Sequence, residues 1–332
     1  MHTTDCYLRL LGILCLCVCL LVVQSACAQT SVSQNSHPQV AKQQQFEIGD
    51  ERLKVVLLTD VDQTQPGNEH FGLRFDRSAT ITEVTSHGRQ LINSWGMPDE
   101  FGQIGRGVLG FEDAKVGDLF IKPGVGVLEM IDTGSYKSGT KFPLRQTLVN
   151  HVTVKDNQVT VTQTSPIIRG YGYQLTKQYS ISPDLGSIEI QFTLTNTGKR
   201  DWEIEHYNHN FFTLDNQPLS PYWQIRLGAP IKSMPLHWLK INGNNLVIAM
   251  EPKSYGFFQI NEPLAPTDAD LAITSQDGQM SIVMTGDFPA YRMAWFFSPK
   301  SLCPERFYLT QCKPGQSSQW MLRYIFHAKP AN

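Results

Sequence analysis

Ten consecutive residues, Ser187-Ile188-Glu189-Ile190-Gln191-Phe192-Thr193-Leu194-Thr195-Asn196, alternate apolar and polar without a break. That is the period of a strand with one face buried, because successive side chains of an extended chain point to opposite sides, whereas a helix groups its apolar residues three and four apart. Shorter runs of the same kind stand on both sides. Residues 152–154 and 159–161 flank a turn at Asp156-Asn157, and residues 174–182 lead through a turn at 183–186 into the ten-residue run. Residues 54–59, 79–85, 224–227, 246–250 and 256–260 read as further strands, and 271–274 pairs with 280–284 through Asp277-Gly278. Residues 72–77 read as the hairpin partner of 79–85, which would set Arg74 and Asp76 on one strand face. No long segment has helical apolar spacing. Short strands at this density predict an all-β chain, a large antiparallel β-sandwich. With 332 residues, 41% of them hydrophobic, the chain can bury a large core, and no second domain boundary is visible.

The sandwich is expected to occupy residues 46–332. Residues 29–45 are rich in Ser and Gln without periodicity, the pattern of a flexible linker. Residues 1–28 read as a signal peptide. The apolar run from Leu10 to Val23 has the length of a leader's hydrophobic region and falls short of the about 20 residues a spanning helix needs, and Ala26-Cys27-Ala28 supplies a small-x-small cleavage pattern. An exported protein, periplasmic or extracellular, is expected, with no membrane span. A rival reading makes Cys27 a lipidated first residue, against which Gln24 stands where a lipobox wants an aliphatic side chain.

Of seven cysteines, only Cys303 and Cys312 lie beyond the leader. Residues 305–311 read as a strand, and nine residues of strand span roughly 30 Å against about 6 Å for a disulfide, so two free thiols are expected unless the chain folds back. A net charge of -2 with 17% charged residues leaves no basic stripe for nucleic acid. The glycines between residues 101 and 129 have no Gly-Lys-Ser/Thr and no strand–turn–helix around them, so neither a phosphate loop nor a dinucleotide site is read there, and no cofactor is expected.

Imidazoles, amides and aromatic rings crowd together at one place, His206-Tyr207-Asn208-His209-Asn210-Phe211-Phe212. Histidine exchanges protons near neutrality. A spacing of three puts His206 and His209 on opposite faces of an ideal strand, so at most one faces a cavity unless a bulge intervenes. The same geometry argues against joint chelation, with no carboxylate or thiol at ligand spacing, and no metal is expected. Each histidine also has a plain reading as a hydrogen-bonded packing residue.

Asn208-His209-Asn210-Phe211-Phe212-Thr213-Leu214 resembles the Asn-His-x-[Tyr/Phe]-Phe-x-Leu segment of aldose 1-epimerases and the wider galactose mutarotase-like superfamily. The resemblance implies a sandwich of the supersandwich type and a catalytic acid at the sugar ring oxygen, here His209. His206 has no counterpart in the motif. Cys303-Pro304-Glu305-Arg306-Phe307-Tyr308-Leu309, with Pro314-Gly315 beyond it, resembles the family's final segment and implies Glu305 as general base, although Glu305 also reads as a surface residue paired with Arg306. Gly105-Arg106-Gly107-Val108-Leu109-Gly110-Phe111 can be laid on a His-Gly-Gly-x-x-Gly-Phe signature, and Gly105 then stands where the family has a first histidine. Arg106 could replace that group's hydrogen bond, though a guanidinium does not donate a proton near neutrality.

Sugar recognition would fall to His206, Asn208, Arg74 and Arg106 as polar groups, with Phe212, Trp95 and Tyr207 offering apolar faces. Arg74 equally reads as a structural partner of Asp76. The expected function is an isomerase, a sugar epimerase or mutarotase acting by acid/base chemistry at the anomeric centre. The alternative is a carbohydrate-binding protein, or an enzyme acting on polysaccharide, on the same scaffold.

Overall fold

The protein is described here from a computed structural model covering residues 42–62, 64, 72–103, 105–231 and 236–330. The expected leader, the Cys27 anchor and all but the end of the linker lie outside the described residues. The first strand, Gln44–Asp50, begins two residues before the expected domain start at 46. Among the described residues there are strands, two 3-10 turns and no α-helix, and no helix is long and apolar enough to cross a membrane.

Two sheets form the body. The larger has ten antiparallel strands in the order Leu239–Asn242, Asn245–Ile248, Trp223–Leu227, Leu271–Ser275, Met280–Gly286, Ser317–Ala328, Ser187–Asn196, Tyr173–Ser182, Gln158–Thr164 and Asn150–Lys155. The run that alternates in sequence alternates in burial: Ile188, Ile190, Phe192 and Leu194 are buried on one side while Glu189, Gln191 and Thr193 are not. The hairpins through Asp156-Asn157 and Asp277-Gly278 form in the expected register, Val154 opposite Val159 and Thr274 opposite Ser281. The second sheet has five strands in the order Gly256–Ile260, Arg292–Ser298, Ser301–Cys312, Trp202–Asn208 and Asp99–Phe101. Cys303 and Cys312 are free and buried on its long strand, as the strand reading required.

The inner faces of the two sheets meet through rings and one buried charge. Phe192 and Trp320 of the large sheet stack with centroids 5.1 Å apart, and the Trp320 indole N–H donates to His206 Nδ1 of the small sheet at 3.1 Å. Lys177, also on the large sheet, is wholly buried. Its ammonium donates to Asp76 at 2.8 Å, to Asp99 at 3.0 Å and to the Ala79 carbonyl at 2.6 Å.

The segment 72–77 departs from its expected strand. Asp76 Oδ1 accepts from the Ser78 N–H two residues on, which bends the backbone, and Asp76 turns inward to Lys177. Gly124 packs so closely there that a Cβ would stand 2.3 Å from Asp76 Cγ. Arg74 and Asp76 therefore do not share a strand face, and the structural pair is Lys177–Asp76.

Replacing Lys177 with Met leaves two buried carboxylates without their cation and should cost about 3–5 kcal/mol of unfolding free energy. Urea unfolding measures this, and adding Asp76→Asn to Lys177→Met should recover part of it. A loss under about 1 kcal/mol would show that water compensates the two acids.

Candidate active site

The strand Trp202–Asn208 sends alternate residues to opposite sides, and the spacing of three divides the histidines as expected. His206 faces the core. Its Nε2 lies 3.0 Å from Asp99, its Nδ1 accepts from Trp320, and Asn208 beside it donates to Asp99. Both sit among the core rings, with Phe101 and Phe192 each 4.6 Å from the His206 centroid. The expectation that His206 and Asn208 touch a sugar is corrected: their side chains are engaged on the buried face. Phe212 is corrected likewise, being wholly buried and packed edge-on against Tyr324 and Phe326.

The outer face of the five-stranded sheet carries the chemistry. Tyr207 stands opposite Glu100 across one strand pair, and Glu305 stands opposite Ala294 across another. His209 follows its strand, with its backbone N–H on the Pro98 carbonyl at 2.9 Å. Its ring is clamped between two carboxylates: Nδ1 lies 2.9 Å from Glu305 Oε1 and Nε2 lies 3.3 Å from Glu100 Oε2. Phe75 meets the ring edge-on at 4.8 Å and Phe211 stacks on it at 5.9 Å. Glu305 is thus no surface residue paired with Arg306. Arg306 points into the core face, toward Asp270 and the carbonyls of Gly286 and Phe288.

Glu100 is itself held by three groups. Arg74 Nε donates to it at 2.8 Å, Lys122 Nζ lies 3.5 Å away, and the Tyr207 hydroxyl donates to it while accepting from Arg74 at 3.1 Å. Burial alone would push this carboxyl up, but His209, Lys122 and Arg74 outweigh it and bring it to about 2. Burial would likewise lower the His209 pKa, and the charges of Glu305 and Glu100 overcome it, raising His209 above the ordinary histidine range. Lys122, buried and hydrogen-bonded to the Tyr136 hydroxyl at 2.8 Å, is lowered to about 8 by burial against the pull of Glu100. The result is an imidazole whose protonated form is favoured by two carboxylates.

Cys303 joins the group, its sulfur 3.8 Å from Glu305 Oε1 and accepting the Asn210 N–H at 3.2 Å. The donor atoms of His209, Cys303 and Glu305 lie within 4.8 Å of one another. Strand pairing achieves what chain spacing hid, since the thiol and carboxylate come from residues almost a hundred positions beyond the histidine. These three could hold a metal only with a neutral imidazole and a thiolate. Binding there would therefore release their protons, against burial and the neighbouring Glu305, which push the Cys303 thiol well up, and against the two carboxylates that raise His209.

The other anticipated residues divide. Arg74 is part of the site through Glu100. Arg106 pairs with Glu203 at 3.2 Å and lines a neighbouring cleft, away from His209. Tyr207 stacks on Phe307 at 4.0 Å and reaches Glu100 rather than offering an open face. Gly105 sits in a turn at φ 93° against Tyr136, and the group that meets the second nitrogen of His209 is Glu100. Sequence reading missed Glu100, Lys122 and Cys303. The only local signals are two adjacent acids, Asp99-Glu100, in a short run otherwise apolar, and a lysine closing the apolar run Leu119-Phe120-Ile121.

Farther along the same face, Glu205 meets Arg292 at 3.2 Å, and Arg292 also donates to Gln103 at 2.8 Å and lies over the Phe307 ring at 3.6 Å. These border a cleft of about 590 Å³ lined by Gln103, Arg106, Gln259, Asn261, Tyr291 and Arg292 among others.

Comparison with family models and with curated proteins finds no match. Solved structures do match. A structure described as a putative aldose 1-epimerase from Escherichia coli K12 aligns over 87% of this chain and 100% of its own, with TM-score 0.56 and 13% identity. A galactose mutarotase-like protein from Lactobacillus casei aligns over 86% of this chain and 100% of its own, with TM-score 0.52 and 15% identity. A homologue of aldose epimerase from C. elegans covers 87% of this chain with all of its own, at TM-score 0.50 and 12% identity. At these identities the likeness is one of architecture, and by that measure the chain has the galactose mutarotase-like fold.

Proposed function

We propose that the protein is a sugar isomerase that opens and recloses a hemiacetal at the anomeric centre, with His209 as acid and Glu305 as base. The observation that supports this most is the His209–Glu305 pair, 2.9 Å apart, with a second carboxylate, Glu100, on the other ring nitrogen helping to raise the imidazole's pKa. Opening the ring needs a proton delivered to the ring oxygen and another taken from the anomeric hydroxyl, each over about 3 Å. An imidazolium hydrogen-bonded to a carboxylate is both groups already assembled. A sugar reaching them takes over the Nδ1 N–H with its ring oxygen, and the carboxylate so released accepts the hydroxyl proton. Glu100 then holds Nε2, steadied by Arg74 and Lys122, and fixes the ring while the proton moves. An exported setting belongs to the same reading and rests on the leader-like first 28 residues.

A second reading, a sugar-binding protein without turnover, is favoured by one feature. His209 and Glu305 are each only 4% exposed and already satisfied by one another and by Glu100, so a ligand must break an ion pair to be transformed. Exchange NMR on free hexoses, pentoses and uronic acids separates the two. The isomerase reading expects faster interconversion of one sugar's anomers with the wild type, reduced about 10²- to 10⁴-fold in His209→Ala and in Glu305→Gln. Binding without exchange in the wild type would support the second reading and end the first.

The pH profile follows from the sign of the histidine shift. Because the folded-state pKa of His209 lies above the ordinary histidine value, the acid keeps its proton to higher pH than a free imidazole does, and the rate should fall as pH rises past that raised value. The same shift stabilises the fold at pH below the ordinary histidine range, and this contribution is lost as pH climbs through the folded value. Glu100→Gln removes one of the charges responsible, so both the alkaline fall in rate and the imidazole NMR titration should move to lower pH. An alkaline limb that stays put in Glu100→Gln would remove His209 from the role of acid.

A further inference from the structure

The outer face of the five-stranded sheet does not end at His209. Strand register lays out its rows: Arg292 opposite Phe307, Ala294 opposite Glu305, Phe296 opposite Cys303, and on the next strand Gln259 opposite Ala294 and Phe257 opposite Phe296. The His209–Glu305 pair therefore lies, buried, midway along one sheet face with unlike ends. Toward Arg292 lies the polar cleft. In the other direction the side chains are aromatic and linked ring to ring. Phe211, stacked on His209, lies 5.2 Å from Trp95 and 6.3 Å from Phe296, and Phe296 stacks on Tyr255 at 5.4 Å with planes 26° apart. Tyr255 is 71% exposed, its neighbour Phe257 52% and Trp95 46%. Large rings left in water at this density on one face mark a contact surface.

We propose that this aromatic end is a second saccharide subsite, and that the sugar reacting at His209 is the reducing end of an oligosaccharide rather than a free monosaccharide. This rests on the reading of His209 and Glu305 as the sugar-reacting pair. Three features choose a saccharide over other occupants. The rings are linked to the acid/base pair through Phe211, which stacks on His209 and touches both Trp95 and Phe296, so a ligand lying on them is one ring away from the imidazole. Phe296 is only two residues along its strand from Ala294, about 7 Å, so a ring stacked on it and Tyr255 neighbours one held at Glu305. The cleft at the opposite end offers amides, a phenol and guanidinium groups whose charges are already met, Arg292 by Glu205 and Arg106 by Glu203. That lining suits a neutral ligand dense in hydroxyls better than an anionic chain. Flat apolar rings on one side and amide donors on the other match the two surfaces of a pyranose, its C–H face and its hydroxyl edge.

The test compares single sugars with their tetrasaccharides, glucose with maltotetraose and cellotetraose and xylose with xylotetraose, on the wild type, Tyr255→Ala and Trp95→Ala. Exchange NMR at the reducing end gives kcat/KM, and saturation-transfer NMR shows which sugar rings touch the protein. Tyr255 stands largely in water, so its replacement does not put folding at risk, and far-UV CD with thermal melting checks that the half-exposed Trp95→Ala variant is folded. One tetrasaccharide should exceed its monosaccharide about tenfold in kcat/KM, with contact at its second ring, and each variant should remove most of that gain. Equal kcat/KM for the two lengths, or a gain untouched by both variants, would overturn the subsite and leave the isomerase reading in place. Tetrasaccharide binding that depends on Tyr255 and Trp95 with no exchange of any sugar would overturn the isomerase and leave the subsite. No saccharide contact, together with self-association of the wild type abolished by Tyr255→Ala, would assign the surface to a second copy of the chain and end the proposal.

Discussion

The ammonium of Lys177 is the contact on which both halves of the sandwich depend. It comes from the ten-stranded sheet and is answered by Asp99 on the five-stranded sheet and by Asp76 from the bent segment between them. Three charges without solvent are costly to bring together and costlier to separate, so the pairing tolerates little slip between the sheets. Asp99 passes the constraint on, since it also receives His206 and Asn208. The residue after Asp99 is Glu100, which by the alternation of a strand points to the other side and meets His209. Two adjacent acids thus divide the work: one locks the core, and the other, placed by that lock, sets the charge of the candidate acid. The placement of Glu100 against His209 is inherited from the core.

Charge on the outer face is arranged around Glu100 in the same economical way. Lys122 and Arg74 hold it ionised, and as a fixed anion it raises the proton affinity of the imidazole. Lys122, brought down to about 8, still carries its proton at neutrality. Glu100 and Lys122 are buried at a cost that their neighbours offset, which is the pattern of sites where protonation states must be held against solvent. Arg74, read from sequence as either a ligand group or a structural partner of Asp76, belongs to this network, one contact behind His209.

Much of the architecture was legible because one periodicity carries it. The alternation in Ser187–Asn196, the turn residues at Asp156-Asn157 and Asp277-Gly278, and the separation of His206 from His209 by three residues are local facts with local consequences. What was not legible arises from pairing between distant segments. Nothing in Leu119–Lys122 says that its lysine will lie beside Glu100, and nothing near His209 announces a thiol and a carboxylate from a strand ninety-odd residues on. His206, Asn208 and Phe212 were misassigned for the converse reason, since proximity in sequence to His209 implied a shared cavity, and the strand's alternation sends two of them to the opposite face. The segment 72–77 fails differently, because the capping of the Ser78 N–H by Asp76 defeats a plausible strand pattern.

The position of Gly105 bears on how many proton donors the site contains. The sequence resemblance puts Gly105 in the place of a histidine, and in the structure the side chain that meets the far nitrogen of His209 is a carboxylate. A carboxyl at about 2 gives up no proton at neutral pH, and the Arg74 guanidinium beside it gives up none either. Lys122 is the remaining cation, but its ammonium is turned to Tyr136 and Glu100 rather than to His209. Among these groups His209 and Glu305 are the imidazole and carboxylate in direct contact, and a pair of that kind can pass protons back and forth in a closed cycle, which is what the proposed interconversion of two anomers requires.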